Sequence, residues 1–197
     1  MLESTPSEHL AAPDLGWLDG VRRIVSPNCD ARPPATAVSL LVIHAISLPP
    51  QQFGSDDIIR LFTNTLDPQT HPYFATIATL KVSAHFLIRR DGELIQFVSC
   101  QQRAWHAGVS HWAGQARCND FSIGVELEGC DEHAFSHAQY AALSDLVPRL
   151  CAHYPIRTVV GHSDIAPGRK TDPGPCFDWP RVRAMLAPEI ETAGVAK

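Results

Sequence analysis

The sequence predicts an α/β domain: one mixed, partly antiparallel β-sheet flanked by helices. Three observations carry the prediction. Strand-like and helix-like segments interleave, an Asp-Gly pair joins two strand-like runs, and one segment combines a capping box with apolar residues at helical spacing. No period of about 20 to 50 residues repeats and no Gly-, Pro- or Ser-rich linker divides the chain, so its 197 residues read as a single domain.

The run Val38-Ser39-Leu40-Leu41-Val42-Ile43 is short, β-branched and almost continuously apolar before it reaches His44, the pattern of a central strand covered on both faces. After Gly54, the segment from Ser55 to Phe62 opens with a capping residue and acids in its first turn, which predicts a short helix. Residues 84–89 and 94–98 flank Arg90-Asp91-Gly92-Glu93 and predict a hairpin. Residues 122–128 alternate strictly and predict a strand with Glu126 and Glu128 on one face. Ser136 and Gln139 form a capping box, followed by Tyr140, Leu143, Val147, Leu150 and Tyr154 at helical spacing. Pro148 falls inside that helix, where a missing donor costs about 3 kcal/mol, so a kink or a break is expected there. Thr158-Val159-Val160-Gly161 predicts a last strand ending at His162, and Asp178 caps a terminal helix with Pro180 near its start. Residues 1–15 and 187–197 lack periodic apolar positions and are expected to be flexible, leaving a domain over 16–186. Proline clusters predict long ordered loops, and residues 45–75 read from composition as a mobile lid.

Composition narrows the function classes. A hydrophobic share of 45% with 19% charged residues argues against a disordered chain. Lys+Arg 16 against Asp+Glu 21 gives a net charge of -5, which lacks the broad positive field that nucleic acid requires. The longest apolar run falls far short of the roughly 20 residues that span a bilayer, so no membrane partner is expected. The six cysteines stand singly with no Cys-x-x-Cys pair, and the N-terminal residues carry no basic lead into an apolar stretch; reduced thiols in a cytoplasmic protein are expected.

Two histidines, His44 and His162, each close an apolar strand, and Asp172 lies in the Pro-rich loop that follows the second. Strand ends opening onto such a loop can bring three side chains to one point. Two imidazoles and a carboxylate are a zinc-hydrolase ligand set, leaving a fourth position for a water whose pKa falls to roughly 7. With ten histidines in the chain, some fall at strand ends for structural reasons alone, and spacing leaves that alternative open.

The segments Leu41-Val42-Ile43-His44, Val82-Ser83-Ala84-His85, Arg103-Ala104-Trp105-His106-Ala107-Gly108, the stretch from Asn119 to Gly129 and the stretch from Gly161 to Pro175 resemble the AmpD family. These are cytoplasmic anhydro-N-acetylmuramoyl-L-alanine amidases, related to T7 lysozyme and to peptidoglycan recognition proteins. The resemblance runs in order from about Gly16 to Leu186. It implies a zinc site of His44, His162 and Asp172, Glu126 as general base and Lys170 supporting the transition state, in a monomer acting on small muropeptides during cell-wall recycling. A mid-strand carboxylate could take a proton from attacking water, and an ammonium two residues before a ligand could face the oxyanion.

Substrate contacts implied by the resemblance are Trp105, Arg117, Lys81 and Tyr73. Trp105 offers an aromatic face to a sugar ring or else belongs to the core. Arg117 matches a residue that grips a stem-peptide carboxylate or else is a solvated surface side chain. Lys81 stands where relatives carry Arg, which replaces a fork by a point charge. Ala45 stands where Asn is common and removes one expected polar contact. Cys176 is a rival third ligand, since related amidases use Cys two residues after the Lys, but that position holds Asp172 here, so Cys176 reads as a core or loop thiol; Glu128 reads as an ion-pair partner. A non-catalytic muropeptide-binding module and an exported amidase acting on intact cell wall are the alternatives.

Overall fold

The computed structural model describes residues 16–193; the expected flexible stretches 1–15 and 194–197 lie outside the described residues. In chain order the first elements are β1 (Arg22–Arg23), β2 (Cys29–Ala31), β3 (Leu40–Ile46), α1 (Asp57–Phe62), α2 (Pro72–Ile77), β4 (Phe86–Ile88) and β5 (Leu94–Gln96). They are followed by β6 (Gln102–Ala104), β7 (His111–Trp112), β8 (Gln115–Ala116), a 3-10 turn over Cys118–Asp120 and β9 (Ser122–Glu128). Then come α3 (His137–His153), β10 (Thr158–Gly161), α4 (His162–Ile165), α5 (Trp179–Arg183) and β11 (Glu191–Thr192).

A seven-stranded sheet runs in the order β1-β5-β4-β9-β3-β10-β11. All its pairings are parallel except the β4–β5 hairpin, so the sheet is mixed as the sequence predicts. The antiparallel ribbons β2–β6 and β7–β8 lie outside it. Strand β3 is central because its apolar residues serve two faces. Leu41 and Ile43 join Ile123, Val125 and Leu127 beneath Leu143, Leu146, Val147 and Leu150 of α3. Leu40 and Val42 face the other way, with Val160 and Ile165. Each fully buried aliphatic side chain contributes about 1.5–3 kcal/mol, so α3 is held chiefly by this face.

The capping box at Ser136 also docks α3 to the sheet. Ser136 Oγ accepts from Gln139 N at 3.1 Å and donates to Arg90 O at 2.6 Å, while Gln139 Nε2 donates to Ile88 O and Glu128 O. The hairpin turn touches the same spot: a Cβ on Gly92, at φ +91°, would meet Ala138 O at 3.0 Å.

Two expectations are corrected. Pro148 does not break α3, which continues to His153. Pro148 is on the exposed side, where water can satisfy the carbonyl it leaves without a donor, while Val147 and Leu150 stay buried beside it. Ordered structure also continues beyond residue 186: β11 pairs in parallel with β10, anchored by Ile190 and Ala193 in the core clusters. All six cysteines are free, and no helix among the described residues is long and apolar enough to cross a membrane.

Ser136→Ala removes both its cap and its bond to the hairpin. A stability loss of about 1–2 kcal/mol is expected in urea unfolding; an unchanged midpoint and slope would contradict the docking role.

Candidate active site

The sheet register gathers the chemistry. In parallel pairing His44 lies opposite Glu126, and Gly161 lies opposite Ile43, so His162, one residue on, falls beside His44. Because side chains alternate along β3 and β9, His44 and Glu126 share the face away from α3. His162 opens the short helix α4, where Asp164 Oδ2 accepts from Gly161 N at 2.7 Å. The long loop then returns: Ser163 N donates to Asp172 O at 2.9 Å, which places Asp172 against His162.

His44 Nδ1 lies 2.9 Å from His162 Nδ1, and Asp172 Oδ2 lies 3.2 Å and 3.1 Å from these two nitrogens. Hydrogen bonds fix the tautomers. His162 Nε2 must carry a hydrogen, since its partner is the Ala107 carbonyl at 3.2 Å. Ser122 Oγ donates to Cys118 O at 2.6 Å and so accepts from His106 Nε2, which leaves His106 Nδ1 to accept from His44 Nε2 at 2.9 Å. In neutral rings with these Nε2 hydrogens, both Nδ1 atoms present lone pairs to each other and to a carboxylate. Burial also holds His44 neutral, its pKa lowered to about 4. Three electron-rich atoms this close repel unless a cation joins them. Their separations are of the size that ligands about 2.0–2.2 Å from one ion span, and these three residues are the group among the described residues able to hold a metal.

Glu126 is buried, and its Oε2 has no hydrogen-bond partner. Burial, followed by the Asp172 charge, raises its pKa well above normal, while the Lys170 ammonium pulls it down. A carboxyl raised toward neutrality and flanked by a cation suits proton transfer. Glu128, on the same strand, has a structural role. It accepts from Gly54 N at 2.6 Å and Arg90 N at 3.1 Å, with Arg89 at 3.9 Å.

Glu126, His162, Asp172 and Lys170 line a cleft of about 350 Å³, walled also by Ala45, Leu48, Tyr73, Ile77, Leu80 and Trp105. Tyr73 sits in the first turn of α2, capped by His71 Nδ1. The segment read as a lid contributes Ala45, Leu48 and Tyr73 to this wall and is itself anchored by its buried Ile58, Phe62 and Phe74. Trp105 is half-buried, and its indole Nε1 donates to Asp30 Oδ1 at 3.2 Å. Arg103 forks onto Asp30, with Nε donating to Oδ1 at 2.7 Å. Arg117 is exposed, pairs with Asp120 at 3.2 Å and lies outside the cleft lining; Lys81 is also exposed and outside it. Cys176 is not in the converging group. His106 and Asp30 carry no predicted role, and the signal for His106 was its place in the Trp-His-Ala-Gly stretch.

A parallel-stranded α/β sheet that converges two imidazoles and a carboxylate beside a buried glutamate and a lysine defines a class, a hydrolase whose donors can hold a divalent metal. The profile of the N-acetylmuramoyl-L-alanine amidase family matches residues 34–175. The 1,6-anhydro-N-acetylmuramyl-L-alanine amidase AmpD of Salmonella typhimurium (strain SL1344) is 58% identical over 177 residues, covering 89% of this chain and 95% of that one. A crystal structure of a selenomethionine AmpD derivative superposes with a TM-score of 0.86 at 57% identity, covering 88% of this chain and 98% of that one. The amidase AmiD from E. coli, in complex with anhydro-N-acetylmuramic acid-L-Ala-D-γ-Glu-L-Lys, gives a TM-score of 0.58 at 31% identity, over 78% of this chain and 60% of that one. The chain belongs to the N-acetylmuramoyl-L-alanine amidase family.

Next to the site, His85 accepts from Gly124 N at 3.0 Å through Nδ1, and burial followed by the Arg32 charge lowers its pKa to about 3 from 6.5. The unfolded chain thus binds this proton first. The stability His85 confers is complete above about pH 6.5 and is lost progressively as pH falls toward about 3. His85→Gln removes that titration, so the stability gap between wild type and variant is expected to narrow from about pH 7 to pH 4.5 in urea unfolding. A constant gap would contradict a neutral His85.

Proposed function

We propose that the protein is a zinc-dependent amidase hydrolysing the bond between N-acetylmuramic acid, in its 1,6-anhydro form, and L-alanine in peptidoglycan fragments. The observation that carries this reading is the packing of two imidazole lone pairs and a carboxylate oxygen within 3.2 Å of one another at the base of the cleft. His44, His162 and Asp172 would hold the zinc. When bound, the metal supplies Lewis acidity to the scissile carbonyl and acidifies water. Glu126 takes a proton from the water that adds to the carbonyl and returns it to the leaving amine. Lys170 places its ammonium toward the developing oxyanion. Trp105 and Tyr73 give the cleft aromatic surface against which a sugar ring can stack, while Arg117 and Lys81 offer cations for stem-peptide carboxylates.

The substrate follows the relatives, which carry the name 1,6-anhydro-N-acetylmuramyl-L-alanine amidase at up to 58% identity. In this reading the protein is a cytoplasmic monomer, a location that its six free cysteines fit. It serves cell-wall recycling and, by removing muropeptides, restrains β-lactamase induction.

Mass analysis of an anhydro-muropeptide incubated with the protein tests the reaction. Release of the L-alanine-terminated stem peptide is expected, with loss of turnover on chelation and recovery on adding zinc. An intact muropeptide bound without cleavage would leave a binding module, and undiminished turnover in metal-free protein would remove zinc from the mechanism.

A further inference from the structure

We infer that His106 is a positioning residue for the metal site, setting the tautomer and ring plane of His44 so that Nδ1 faces the metal. The inference rests on the zinc reading above and concerns how this chain prepares its ligands. A metal-binding imidazole needs its far nitrogen tied to an acceptor, which fixes the ring and raises the basicity of the ligating atom. Here one short loop supplies that acceptor to both histidines. The His106 ring takes the hydrogen of His44 Nε2 at 2.9 Å, and the carbonyl of the next residue, Ala107, takes that of His162 Nε2 at 3.2 Å.

The loop is built for the task. Asn119 Oδ1 accepts from both His106 N and Ala107 N, at 3.1 Å and 2.8 Å, and clamps the two residues together. Arg32 in turn donates to the carbonyls of Asn119, Asp120 and Ser122, which holds the clamp. At the far end of the ring, Ser122 Oγ accepts from Nε2 while committed as donor to Cys118 O, so a backbone carbonyl orders the chain of hydrogens back to His44. Gly124 makes room, since a Cβ there would lie 2.5 Å from His106 Cγ. With its hydrogen on Nε2, the imidazole accepts from His44 and donates to Ser122 at once.

The test is zinc affinity of full-length wild type, His106→Leu and His106→Asn, by competition with a chromogenic chelator. His106→Leu is expected to bind about 10- to 100-fold more weakly. His106→Asn, whose amide oxygen falls near the former Nδ1, is expected to recover most of that loss. Equal affinity for wild type and Leu variant, or an equal loss in both folded variants, would overturn the role. Should the Leu variant fail to fold, long-range 1H–15N NMR of the wild-type zinc protein decides. Hydrogens on Nε2 of both His44 and His106 support the assignment, and one on Nδ1 of His106 overturns it. A wild type that takes up no zinc would fail the metal reading itself, an outcome distinct from these.

Discussion

The site depends on one electrostatic constraint: three lone-pair donors are held closer together than they would choose. Two Nδ1 atoms 2.9 Å apart, with Asp172 Oδ2 in contact with both, have no hydrogen to share when the rings are neutral and each Nε2 hydrogen is committed elsewhere. The folded chain supports this arrangement by its sheet and by the 163–175 loop, and a divalent cation bound there would convert the repulsion into binding energy. A binding site prepared in this way has little ordering entropy left to lose when the ion arrives.

The sheet makes that preparation possible by dividing its faces. Helix α3 covers one face with aliphatic contacts, so His44, Glu126 and Gly124 can occupy the other without weakening the main core. Parallel strands bring His44 and Glu126 to matching positions, and His162 follows directly at the end of β10. Strand β9 shows how environment separates two like carboxylates. Glu128 has two backbone donors and braces the fold, whereas Glu126 has a buried oxygen without a partner and faces the cleft.

The parts of the fold readable in sequence are those whose signals are local. The apolar run into His44, the strict alternation of 122–128, the Asp-Gly turn and the Ser136 capping box each state their element within a few residues. The two-residue strands β1 and β11 and the ribbon β7–β8 escape because only distant or very short backbone pairing defines them. Helix α2 escapes because a histidine caps it. That α3 runs on past Pro148 is not legible in sequence, because the exposure that makes the proline tolerable is a tertiary property. In the site, His44, His162 and Asp172 stood out as ligand types at strand ends and in a loop. The part played by His106 did not, because it depends on a bond to a residue 62 positions away and on a hydroxyl committed to a carbonyl.

Anomalous diffraction from crystals of the protein, collected on either side of the zinc absorption edge, addresses the central claim most directly. The account requires a single zinc peak about 2.0–2.2 Å from His44 Nδ1, His162 Nδ1 and Asp172 Oδ2 together. Full occupancy at some other cluster, or no peak in crystals of active enzyme, would contradict it.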